Sequence, residues 1–332
     1  MKADPDAALR PRSIVEAGRL AFQPAMELLH SKGADLNAVW RGYRPLHSLL
    51  QEEPHRASGT PSAERLECLD WLLAHGADPE QPGAWPPARA IIIAAFMGEP
   101  RYVNRLRKAR ARIDGFAAAA LGDQNLVQKT LIRSPGFVRQ RDSGGLTALQ
   151  CAAGSRFSEA AALDVAMVLL RAGADLRMQT KSWNHNIDAV YLAASAKNKA
   201  LFALLLEHGA DATEALVPAV WNADEEFAEL ALQRGAQPDL AVADSQPLLN
   251  SLIRWGQIRK ARWLLAHGAS PNVPDHQGWT ALHQAASRGN EQMMRALLEA
   301  GGDAARRDHQ GSTPIDIARR ARRNKLVDLL RR

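Results

Sequence analysis

The apolar positions between Asp275 and Asp303, DHQGWTALHQAASRGNEQMMRALLEAGGD, repeat with the period of helices and are broken by polar turns. Asp275-His276-Gln277-Gly278 is turn chemistry. Thr280 is placed to cap a short helix through Leu282, Ala285 and Ala286. The polar break Arg288-Gly289-Asn290 ends that helix. A second, amphipathic helix follows with Met293, Met294, Leu297 and Leu298 on one face, and it stops at Gly301-Gly302. The pattern predicts a turn followed by two antiparallel helices. So small a pair cannot bury its apolar face alone and needs a neighbour on each side.

Copies of this pattern run along the chain. A leucine-rich helix end followed by Gly-Ala-Asp occurs at Leu28-Leu29 with Gly33, Leu72-Leu73 with Gly76, Leu169-Leu170 with Gly173, and Leu205-Leu206 with Gly209. From Gly235 to Gly268 to Gly301 the step is 33 residues each time. Together, Gly278-x-Thr280-Ala281-Leu282-His283-x-Ala285-Ala286 and Leu297-Leu298-x-x-Gly301-x-Asp303 resemble an ankyrin repeat. The resemblance implies an all-α, ankyrin-repeat solenoid of about ten helix-turn-helix units with short β-hairpin fingers, gently curved and elongated.

Read in order, residues 1–332 are expected to form a single array. Residues 1–37 read as an N-terminal cap unit without a hairpin, and 38–141 as degenerate repeats. A surface loop insertion at 51–63 is rich in Pro, Ser and Gly. Residues 142–307 are the regular repeats, and 308–332 a C-terminal cap with an arginine-rich outer face. Between Asp211 and Glu214 the chain is about seven residues too short for a finger, so the row should have a gap there.

Composition adds little to this. Among 332 residues the net charge is +6 and acids are interspersed with bases, a weak pointer to polyanions. Cys68 and Cys151 lie far apart in apolar helix patterns and read as reduced, buried thiols. With no apolar leader and no membrane-length apolar run, the expected location is cytoplasmic. The alanine and arginine richness points to a bacterial chain of high genomic GC.

Stacking dictates leucine, alanine and glycine; positions that it leaves free can carry function. In the family that this chain resembles, those positions are the finger tips and the residues after the Ala-Ala pair of each first helix, lining a concave groove. Here they hold Trp183, His185, Trp221, Asn222, Arg254, Trp255, His276, Gln277, Trp279, Ser287 and Arg288, the candidate partner-binding residues. Trp40 and Trp85 also fall at free positions, whereas Trp71 and Trp263 sit beside core leucines. The resemblance implies a non-catalytic scaffold or adaptor for a protein partner. Alternatives are a stoichiometric inhibitor or immunity factor for a toxin or enzyme, and an RNA or anionic-surface binder using the basic helix 101–112. That helix carries Arg101, Arg105, Arg107, Lys108, Arg110 and Arg112 without interleaved aromatics. His30, His75, His208 and His267 recur beside the glycine that ends each second helix and read as helix-end residues. His47 and His283 occupy the turn where the family uses histidine to bridge loops. No nucleophile elbow, phosphate-cradling glycine loop or zinc-spaced Cys/His set is present, so neither enzyme activity, a cofactor nor a metal is expected.

Overall fold

A computed structural model describes residues 11–51, 61–182, 185–221, 225–242 and 246–331. The helices come in pairs. In the unit ending at Ala210 these are α1 (Pro11–Arg19) with α2 (Gln23–Ser31), α3 (Pro45–Leu50) with α4 (Ala63–Ala74), and α5 (Ala90–Met97) with α6 (Pro100–Lys108). They continue as α7 (Gly115–Leu121) with α8 (Gln124–Arg133), α9 (Ala148–Ala153) with α10 (Glu159–Arg171), and α11 (Ala189–Ala196) with α12 (Lys199–Glu207). The unit from Asp211 holds α13 (Ala212–Trp221) with α14 (Glu225–Gln233), and α15 (Leu248–Arg254) with α16 (Ile258–Ala266). It ends with α17 (Ala281–Arg288) and α18 (Glu291–Glu299), then α19 (Pro314–Arg320) and α20 (Asn324–Leu330). The division falls at Ala210. There α13 begins at Ala212 with no finger before it, as the shortened spacing predicts.

First helices pack in a row, α1 on α3 through to α9 on α11 in one unit, and α15 on α17 on α19 in the other. Enclosed on several sides, they are short and alanine-rich. Every residue from Ala90 to Phe96 in α5 and from Gly115 to Leu121 in α7 is buried. Small side chains permit that approach. Second helices are amphipathic; α18 buries Met293, Met294 and Leu297 and leaves Glu291 and Arg295 in water.

Two fingers are antiparallel ladders, β1 (Thr180–Ser182) with β2 (His185–Ile187) and β3 (Ala241–Val242) with β4 (Gln246–Pro247). Others reduce to single bridges at Trp40–Tyr43, Gly83–Ala88 and Arg141–Thr147. At several first helices, successive turns are tied by one side chain near the helix start. His47 Nε2–H donates to the Ala88 carbonyl at 3.0 Å, and Gln150 Nε2 to the Ile187 carbonyl at 3.0 Å. Asn250 Nδ2 donates to the Trp279 carbonyl at 2.8 Å, and His283 Nε2–H to the Ser312 carbonyl at 3.1 Å. Thus the two turn histidines do bridge loops. Thr280 completes its cap through His283, whose Nδ1 accepts from the Thr280 amide at 3.2 Å.

In the third pair Arg89 does this work from the residue before α5. Although its side chain is 1% exposed, it pairs with Glu80 at 3.0 Å and Asp114 at 2.6 Å and donates to the Arg112 carbonyl at 3.1 Å. The helix-end histidines also have a defined role. The Nδ1–H groups of His75, His208 and His267 donate to the carbonyls of Trp71, Leu204 and Trp263, each at 2.8 Å, closing the last turn.

Candidate functional site

The sequence-derived candidates divide by what their side chains already touch. Trp183 and Asn222 lie outside the described residues. His185 opens β2, paired through the ladder with Ser182. Trp221, at the end of α13, is half-buried. Lys260 Nζ stands 5.6 Å over its ring and donates to its carbonyl at 2.6 Å, and burial lowers the lysine's pKa. A cleft of about 350 Å³ lies beside it, walled by Ala219, Val220, Ala228, Ile258 and Trp263.

Trp279 belongs to the fabric of the stack. Its Nε1–H donates to Asp308 Oδ2 at 3.1 Å and its ring lies against His283, centroids 6.2 Å apart. It joins the turn before α17 to the turn before α19. His276 and Gln277 are exposed at the tip of the first of these turns, where the Gln277 carbonyl accepts from the His309 amide at 3.0 Å. Trp40 and Trp85 are likewise engaged, the first under Arg41 at 4.8 Å and the second edge-on to Tyr191 at 6.1 Å.

Trp255 differs from all of these. Among the described residues it is the exposed tryptophan, with 67% of its surface in water. Its place follows from the turn. α15 ends at Arg254, the Trp255 amide donates to the Ser251 carbonyl at 3.0 Å, and Gly256 takes φ +71° to reverse the chain. One repeat later Gly289 does the same at φ +78°, so Arg288 occupies the position of Trp255 in the next pair. α15 and α17 pack side by side, and their ends therefore come together. Arg254, Trp255 and Arg288 line one cleft of about 410 Å³ with Ile253, Ile258 and Asn290. Among the described residues neither Arg254 nor Arg288 has an ion-pair or hydrogen-bond partner, and both are exposed. Ser287 is half-buried at the adjoining position.

Sequence reasoning did not place Arg323 here. Its side chain lies against Gly289, where an added Cβ would come within 2.8 Å of its Nε. The signal was available in the 33-residue register, which carries the turn residues Gly256 and Gly289 onto Arg322, itself at φ +55°.

The basic helix is less free than its sequence implies. Arg101 pairs with Glu99 at 2.9 Å and Arg105 with Asp70 at 3.1 Å, and Arg112 lies 3.3 Å from Asp114. Arg107, Lys108 and Arg110 remain exposed. Both cysteines are free and buried, and burial pushes each thiol's pKa up, away from a nucleophilic thiolate. No group of three His, Cys, Asp or Glu is placed to hold a metal among the described residues. No described helix is long and apolar enough to cross a membrane.

The family model for ankyrin repeats (three copies) matches residues 249–332. Ankyrin repeat domain-containing protein 46 of Danio rerio is 52% identical over 46 residues, 14% of this chain and 20% of that protein. The match spans about a fifth of that relative's length.

Proposed function

We propose that this chain, whose residues 249–332 match the model for ankyrin repeats, a general protein-interaction module, is a non-catalytic scaffold. It binds a protein partner at the edge formed by Arg254, Trp255 and Arg288. The observation that carries this reading is the exposed Trp255 beside two guanidiniums that have no ion partner among the described residues. Tryptophan and arginine at a desolvated centre dominate the affinity of protein interfaces. Trp40, Trp85, Trp221 and Trp279 have internal partners, whereas the Trp255 indole is left in water beside the two arginines, and that combination supports a contact there. The stacked turns hold these side chains on helix ends. Little ordering entropy is then lost on binding, which is the benefit of preorganisation.

Ser287, next to Arg288, serves as a rim position in this reading; His276 and Gln277, in the turn before α17, do not line the cleft. The arginines of 101–112 are a secondary candidate, since three of the six are already paired. Two buried free thiols accord with a reducing compartment such as the cytoplasm.

The test is capture from native lysate with the wild type beside Arg254→Ala/Trp255→Ala, followed by purification of the captured protein and measurement of its binding. A protein retained by the wild type and released by the variant supports the reading. Equal retention by both removes this edge from it. A captured enzyme or toxin that loses activity when bound would make the scaffold an inhibitor.

A further inference from the structure

The chemistry of the edge specifies what it can receive. The chain's positive charge is not spread evenly. Residues 249–332 carry 15 lysines and arginines against 7 acids, net +8, more than the +6 of the whole chain. Residues 211–248 carry 8 acids against one arginine. Since charges separated by more than about 10 Å are largely screened at physiological salt, the composition around the cleft matters more than the total.

The polar side chains that line the cleft offer donors. Arg254 and Arg288 present guanidinium forks, which donate only. The Asn290 carbonyl is committed to the Met293 amide at 2.8 Å, which leaves its NH2. The acid next to Asn290 is committed too, as Glu291 holds Arg295 at 2.8 Å. Two cationic side chains around an indole and two isoleucines call for a ligand that brings negative charge beside an apolar group.

We propose that the partner segment seated at this edge is an acidic peptide, with Asp or Glu flanking an apolar residue. Its carboxylates pair with Arg254 and Arg288, and its apolar side chain lies against Trp255 and Ile258. The inference rests on the reading of this edge as a contact surface. Guanidinium and carboxylate match in planar, bidentate geometry, so the pair of arginines selects carboxylates and fixes their spacing. Nucleic acid offers acceptor-only phosphates as well, but its bases require several stacking platforms interleaved with the charges. Here a single indole stands beside aliphatic walls.

The experiment uses the full chain at near-physiological salt and three labelled probes followed by fluorescence anisotropy. These are a short Gly/Ser peptide with two glutamates flanking a leucine, its glutamine counterpart, and an oligouridylate. The expected result is binding of the glutamate peptide with Kd at or below about 1 mM, at least about tenfold tighter than the glutamine peptide. Arg254→Glu/Arg288→Glu should abolish it. Arg262→Glu/Arg306→Glu, an equal charge change at exposed positions that do not line the cleft, should retain it. Absent binding, equal binding of both peptides, equal loss in the control variant, or tighter binding of the oligouridylate overturns the proposal. If the glutamate peptide fails while Trp255→Ala still releases the captured partner, the surface stands and the acidic class falls. If both fail, the surface itself is wrong.

Discussion

The fully buried His47 makes a sharp prediction about pH. Burial first, and the nearby Arg44 guanidinium in addition, lower its pKa from 6.5 to about 4, while the bond to the Ala88 carbonyl opposes them. The neutral ring is therefore the folded form, with Nε2–H donating and Nδ1 unpartnered. In the unfolded chain the ring takes up a proton near pH 6.5. Stability from this group is complete above that value and is lost as pH falls towards about 4. The gap of about 2.5 pH units corresponds to about 3 kcal/mol in full, and about 2 kcal/mol of it is lost between about pH 7 and pH 5. His47→Gln keeps a donor for the Ala88 carbonyl, as Gln150 does for Ile187, and removes the titration. Urea unfolding at three pH values in this window should show wild-type stability falling by about 2 kcal/mol more than that of the variant. Parallel pH profiles for the two proteins would refute the burial argument.

Three further outcomes follow from the turn ties. His283→Ala leaves the Thr280 amide and the Ser312 carbonyl without their partner and should cost about 2–4 kcal/mol in urea unfolding. His283→Gln should recover most of it, because Gln150 makes the equivalent pair of bonds to the Thr147 amide and the Ile187 carbonyl. Arg89→Ala strips the buried partner from Asp114 and Glu80 and should cost about 3–5 kcal/mol, whereas Arg112→Ala, at an exposed position, should stay within about 0.5 kcal/mol. A small loss at Arg89 would mean that Glu80 and Asp114 are solvated well enough without it.

The repeat was legible because its cause is local. A glycine closes most of the second helices, with a step of 33 residues from Gly235 to Gly268 to Gly301, and stacking leaves these positions little freedom. The ties between turns were half legible. His47 and His283 stand in a recognisable turn, but Arg89 does the same work from a different position and no motif announces it. The functional edge was hardest to see. Trp255 and Trp279 both flank a first helix and look alike in sequence. What separates them is Asp308, 29 residues beyond Trp279, which takes that indole's N–H, while no described residue does the same for Trp255. Arginine charge misleads in the same way. Arg101, Arg105 and Arg112 have acids brought to them by folding, and among the described residues Arg254 and Arg288 do not.

The central claim is that Trp255 and its two flanking arginines form the contact for a protein partner. The most direct test is the dissociation constant of the purified, captured partner for the wild type and for Trp255→Ala, with unfolding of both chains followed in parallel. Because the indole is 67% exposed, its removal should alter folding stability by no more than about 0.5 kcal/mol. The account predicts a Kd at least about thirtyfold weaker, corresponding to about 2 kcal/mol at an interface centre. An unchanged Kd in a folded variant would contradict it.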